Sequence, residues 1–158
     1  MFNIGDRIVY PMHGAGVIEG KEEKDIGGAT EEYYVIKLTT GDMKVMIPIN
    51  NVNLVGIREV IAEDEVVKVF EVLKDKTSKM STNWNRRYRA NMEKIKSGSI
   101  YEVAEVVRNL SLRDREKGLS TGERKMLENA RQILCSELGL AQDLAEEQVE
   151  ALVEACFS

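Results

Sequence analysis

Two hydrophobic rhythms divide the chain. Up to about residue 58 the apolar positions come in short runs rich in β-branched and aromatic residues: RIVYP at 7–11, GAGVIEG at 14–20, EEYYVIKL at 31–38 and MKVMIP at 43–48. Turn signals separate them, GG at 27–28 and TTGD at 39–42, a pattern that predicts short strands in a small β-barrel or curled sheet. About fifty residues make a marginal core, so this part is expected to lean on a neighbour.

From about residue 63 the alternation disappears and apolar residues recur at helical spacing near 63–75, 82–97, 100–117, 121–139 and 142–156. Ser99 with Glu102, and Ser120 with Glu123, fit the capping box, in which hydroxyl and carboxylate satisfy free amides at a helix start. Gly98, Gly118 and Gly139 stand where helix C-terminal caps belong. The last segment reads as an amphipathic packing helix with Leu144, Val149, Leu152, Val153 and Cys156 inward. Both prolines, Pro11 and Pro48, fall in the β-like part, at places where strand ends tolerate them. The expected class is therefore mixed α+β, a small β domain over 1–60 followed by an all-helical bundle of about five helices over 61–158.

Composition adds few constraints. No apolar run approaches the roughly 20 residues of a membrane helix, and the start MFNIGDRIVYP lacks a signal-peptide pattern, so a soluble, cytoplasmic protein is expected. Cys135 and Cys156 lie in apolar helical surroundings without a metal-ligand or CxxC spacing and read as reduced packing residues. Charge is more telling. The net −5 hides a middle section, 74–132, with 15 basic and 8 acidic residues, followed by 133–158 with six acidic and none basic. Such asymmetry suggests either a local polyanion-binding surface or a solvated helical face.

The basic section contains the sole tryptophan, Trp84, beside Arg86, Arg87, Tyr88 and Arg89. On a helical wheel Tyr88, Met92 and Ile95 fall within about 80° of Trp84, while Arg86, Arg89, Glu93 and Lys96 point away. That periodicity favours Trp84 as the first residue of a buried stripe. Its place in the first turn permits the opposite, a protruding ring with arginines nearby to hold phosphates while the indole presses against bases.

Several long segments, in order, carry a resemblance: GDRIVYPMHGAGVI at 5–18, GDMKVMIP at 41–48, VGIREV at 55–60, TNWNRRYRANMEKIKSG at 82–98, VAEVVRNL at 103–110 and EKGLSTGERKMLENARQIL at 116–134. The chain resembles the CarD/CdnL family of bacterial transcription regulators essentially from end to end. The resemblance implies a Tudor-like N-terminal domain that binds the β subunit of RNA polymerase. It also implies a helical domain that contacts promoter DNA near the minus-ten element without strict sequence readout, stabilising the open complex. Trp84 matches the family's minor-groove wedge at the upstream edge of the bubble, and Arg86, Arg87, Arg89 and Arg124, with Lys125 adjacent, match its basic DNA contacts. Lys24, Ile26 and Met46 occupy the polymerase-binding region, on strands expected to be neighbours. At Met46 some relatives carry arginine, so an apolar contact is expected in place of a charged one.

Other chemistry is thinly represented. His13 is the only histidine and reads as a turn residue, which leaves no triad and no histidine-rich metal site, and no phosphate-cradling glycine motif occurs. The expectation is a monomeric regulator without enzymatic activity, metal, cofactor, small-molecule substrate or membrane association. Two alternatives compete: an RNA-binding or ribosome-associated small-barrel module, and a fragment of the transcription-repair coupling ATPase. The second requires helicase motifs that this sequence lacks, so a self-contained chain is expected.

Overall fold

The computed structural model describes residues 2–76 and 78–157. Its N-terminal part is a five-stranded antiparallel sheet built from β1 (Arg7–Tyr10), β2 (Gly14–Ile26), β3 (Ala29–Leu38), β4 (Lys44–Pro48) and β5 (Arg58–Glu59), in the order β4-β3-β2-β1-β5. A 3-10 turn, Ile49–Asn51, and the four-residue helix α1, Val52–Val55, link β4 to β5. Gly27 and Gly28 both have positive φ, 61° and 83°, the conformation a tight two-residue hairpin turn demands and which glycine adopts at least cost. One face of the sheet closes over Ile8, Ile18, Tyr34, Ile36, Leu38 and Ile47, with Val52 and Ile57 from the connecting segment.

The β2–β3 hairpin outgrows this core. Residues 21–30 are exposed throughout, and β4 pairs only with Tyr33–Lys37 of β3, so the outer half of the hairpin is a free two-stranded ribbon. Lys24 and Ile26 lie on that ribbon, whereas Met46 lies on β4 opposite Val35. The expectation of neighbouring strands is corrected here, because β3 stands between β2 and β4.

Five helices follow: α2 (Glu63–Lys74), α3 (Trp84–Lys96), α4 (Ile100–Glu116), α5 (Thr121–Gln142) and α6 (Glu146–Ala155). Helix α4 is central, burying Val103, Ala104, Val106, Val107 and Leu110, and the others supply Val69, Leu73, Ile95, Ala130, Leu134, Leu138, Val149 and Val153 to a core separate from that of the sheet. Three local expectations change. Ser99 makes no side-chain cap; its own amide donates to Ser97 Oγ. Helix α5 runs past Gly139 to a cap at Asp143 with φ 54°; glycine at 139 instead gives room, since a Cβ there would sit 3.2 Å from the Leu144 carbonyl oxygen. Leu152 is 44% exposed, on the outer side of α6, while Val149 and Val153 are fully buried.

The sheet is seated on α5 by polar groups. The Ala15 amide donates to Ser136 Oγ at 2.9 Å, and that hydroxyl donates to the Ile133 carbonyl at 2.7 Å. Gly14 makes the approach possible, because its φ is +100° and a Cβ would stand 2.9 Å from Ser136 Oγ. Arg58 of β5 grips Glu137 in a two-pronged ion pair, 2.6 and 2.7 Å, and Glu137 also accepts from the Ile61 amide at 2.9 Å. The Glu137 side chain is 2% exposed, so these donors take the place of water around its oxygens. Removing one partner of a buried pair costs about 3–5 kcal/mol. The Arg58 side chain keeps 31% of its surface in water, so Glu137→Ala is expected to cost less, about 2 kcal/mol. Urea unfolding checks this, and the loss should shrink when Arg58 is already alanine.

Candidate nucleic-acid interface

Helix α3 begins at Trp84 because Asn83 caps it: Asn83 Oδ1 accepts from the Arg86 amide at 3.0 Å. The preceding segment is pinned to the bundle through Ser78, whose hydroxyl donates to Glu105 Oε1 at 2.7 Å and accepts from Arg108 Nη2 at 2.6 Å. Lys94 of α3 meets the same Glu105 at 2.7 Å; this hydrogen bond, first among several, holds the Glu105 carboxyl below the usual carboxylate range.

Both readings of Trp84 describe part of it. One ring face stacks on Tyr88, one turn along α3, with centroids 5.0 Å apart and planes inclined by 20°. The indole Nε1–H donates to Ser120 Oγ on the neighbouring α5 at 2.9 Å, and Gly122 lies against the ring edge. Even so, Trp84 remains 42% exposed. Among the described residues it is the largest side chain counted as an exposed apolar one.

Arg87 occupies a different environment from the one expected. It is 3% exposed, and its guanidinium is committed to Glu123 of α5, Nε to Oε2 at 2.7 Å and Nη2 to Oε1 at 3.1 Å, with Nη1 donating to the Ser81 and Thr82 carbonyls. Its place is therefore a brace beneath Trp84 rather than a surface contact. The wheel carried the signal: Arg87 lies only about 60° from Trp84, on the side that Asn91 and Ile95 also bury. Arg86, Arg89, Arg124 and Lys125 are exposed. Arg124 touches Asp114 at 3.4 Å, a surface pair worth little.

Sequence reasoning missed what joins these residues. Ser120 and Glu123 were expected only to cap α5. The hydroxyl does so, accepting from the Glu123 amide at 3.2 Å, but the Glu123 carboxylate pairs with Arg87 while also accepting from that same Ser120 hydroxyl at 3.2 Å. The two buried groups thereby dock the front of α3 onto the front of α5, which places Trp84, Arg86 and Arg89 at the same end of the bundle as Arg124 and Lys125. Lys24, Ile26 and Met46 belong to the sheet and take no part in this cluster. His13, exposed in the turn after β1, and Cys135, whose thiol is pushed up to about 12 by burial, also stand outside it. Among the described residues no group of three or more His, Cys, Asp and Glu side chains could hold a metal ion.

The Arg87 hydrogen bond, reinforced by its charge and by Ser120 against the effect of burial, holds the Glu123 carboxyl below the usual carboxylate range. A lowered folded value means stability that is present above the unfolded value, about 4.3 for Glu, and lost as pH falls through the folded value. Glu123→Gln is expected to be less stable at pH 7 and to lose less stability than wild type between pH 6 and about pH 3, as followed by urea midpoints. Arg87→Ala, which strands a buried carboxylate, should cost about 3–5 kcal/mol in the same measurement at pH 7.

The chain matches two family models, described as CarD-like/TRCF RID domain over residues 2–61 and CarD, C-terminal domain over residues 68–154. It is 42% identical over 154 residues to a Bacillus subtilis (strain 168) protein named "Putative transcription factor YdeB", covering 96% of this chain and 99% of that one. Among solved structures it is similar to the Myxococcus xanthus CdnL N-terminal domain, at 41% identity and TM-score 0.34 over 39% of this chain and 86% of that one. It is also similar to the 72-residue N-terminal domain of Myxococcus xanthus CarD, at 25% identity and TM-score 0.32 over 37% and 79%. No helix among the described residues is long and apolar enough to cross a membrane. With both family models matched in order and a full-length relative at this identity, the chain belongs to the CarD/CdnL family of transcription factors.

Proposed function

We propose that this protein binds the β subunit of RNA polymerase through its N-terminal sheet and stabilises the promoter open complex through the α3–α5 end of its helical part. Trp84 enters the minor groove at the upstream edge of the melted bubble, next to the minus-ten element, and Arg86, Arg89, Arg124 and Lys125 hold the flanking phosphates. Arg87 contributes by bracing the wedge from beneath. The observation that carries this reading is Trp84 itself, a large aromatic ring left 42% exposed at the front of α3, with arginines on its helix and a second basic pair just beyond Glu123.

The physical logic needs only a difference in contact. A ring that reaches partly unstacked bases binds open DNA better than paired DNA, and a ligand moves a two-state equilibrium only by that difference. About 1.4 kcal/mol lost on bubble collapse slows collapse roughly tenfold. Tethering to polymerase raises the effective concentration of the DNA-contacting end, so four exposed cations suffice although the chain as a whole carries −5. On the polymerase side the match to a domain type shared with TRCF supports the sheet as the docking part. Lys24 and Ile26 on the free ribbon and Met46 on the edge strand β4 are the proposed contacts. The separate cores of sheet and bundle support two domains, 1–60 and 61–158, acting as one copy per polymerase in the cytoplasm.

The test is the lifetime of open complexes formed by the host polymerase on an unstable promoter. Wild-type protein is expected to lengthen it, and Trp84→Ala, while still binding polymerase, to shorten it by about tenfold relative to wild type. Equal lengthening by both would refute the wedge, and no lengthening by either, with RNA binding instead, would favour a ribosome-associated module. Arg124→Ala should weaken binding at any promoter sequence and lower the salt dependence by about one counterion.

A further inference from the structure

We propose that Ser120 is the positioning residue of the Trp84 wedge, fixing the indole before DNA arrives and withdrawing its only polar group from base recognition. The proposal rests on the wedge reading above and concerns how the wedge is held.

A serine hydroxyl has one proton to give and two lone pairs, and at Ser120 all three are used. The hydroxyl accepts from Trp84 Nε1 at 2.9 Å and from the Glu123 amide at 3.2 Å, and donates to Glu123 Oε1 at 3.2 Å. The direction of this chain is dictated from its buried end. Glu123 is 2% exposed and clamped by Arg87, so it is an ionised acceptor with no proton to offer. The Ser120 proton must therefore point at Glu123, which leaves a lone pair turned toward α3, and the indole N–H is the donor that takes it. Arg87 and Glu123 thus orient Ser120, and Ser120 orients Trp84.

Two consequences follow for DNA contact. With one face on Tyr88 and Nε1–H on Ser120, the ring is restrained in both tilt and spin, so little side-chain freedom remains to be lost when it enters the groove. What the ring still presents is carbon, which responds to unstacking and not to the acceptors on base edges. Loose sequence readout is then a property of the held ring and not only of phosphate contacts.

The experiment uses the full chain with host polymerase, comparing wild type, Ser120→Gly, Ser120→Thr, Trp84→Phe and the Ser120→Gly/Trp84→Phe pair. Glycine removes the hydroxyl yet remains an acceptable N-cap, so α5 keeps its start; threonine keeps the hydroxyl. Because Trp84 is the sole tryptophan, its fluorescence anisotropy decay reports ring mobility in the free protein. Ser120→Gly is expected to shorten open-complex lifetime by about two- to tenfold and to raise ring mobility, with Ser120→Thr close to wild type. In the Trp84→Phe background, which has no indole N–H, Ser120→Gly should change nothing further. Wild-type lifetime and mobility in Ser120→Gly would overturn the proposal while leaving the wedge intact, and so would an equal loss in the Trp84→Phe background. If Trp84→Ala itself left the lifetime unchanged, the wedge reading would fall, and ring mobility in Ser120→Gly would still decide whether Ser120 holds the indole.

Discussion

Two buried glutamates on one helix hold this molecule in shape. Glu123 and Glu137 are both 2% exposed, lie fourteen positions apart on α5, and so project within about 40° of each other at a separation of about 21 Å. Each is met by an arginine from another part of the chain, Arg87 of α3 at one end and Arg58 of β5 at the other. Helix α5 is therefore a ruler. It fixes the distance and the angle between the sheet and the exposed tryptophan.

The choice of charged joints over apolar ones has a geometric reading. Hydrophobic replacements of buried ion pairs can be as stable as the pairs themselves, so stability alone does not account for these joints. A guanidinium fork on a carboxylate admits one alignment, because two parallel donors must meet two oxygens. At both joints the carboxylate also accepts a third hydrogen bond, from the Ile61 amide at Glu137 and from Ser120 at Glu123. Those extra bonds tie the ion pairs to the segment that joins the sheet to α2 and to the Ser120 hydroxyl that meets Trp84.

Much of this was legible in the sequence. The change from alternating to helical periodicity near residue 60 marks where the sheet ends and the bundle begins, since a half-buried strand and an amphipathic helix place apolar residues at different intervals. The GG turn and the glycines at 98 and 118 were readable because their conformations exclude most other residues. Gly139 misled because a glycine needed for the close approach of a neighbouring carbonyl looks the same as one needed for a cap. Arg87 misled because a charge is expected in water, and only its partner 36 positions away explains its burial. Ser120 likewise revealed its local role and hid its distant one. Pairwise contacts between helices leave no periodic trace in a single sequence, so the parts that set the site's geometry were the least visible.

The free ribbon at the tip of the sheet carries one more consequence. Across its ladder Glu23 faces Glu32, with Asp25 two positions along on the same side, so like charges are set directly against each other. That arrangement weakens the hairpin's own pairing. It also means that two molecules approaching edge to edge bring matching negative rows together, which opposes the runaway strand addition that an uncovered ribbon otherwise invites. The exposed edge is thus made repellent to its own kind by three carboxylates on one side of the ribbon.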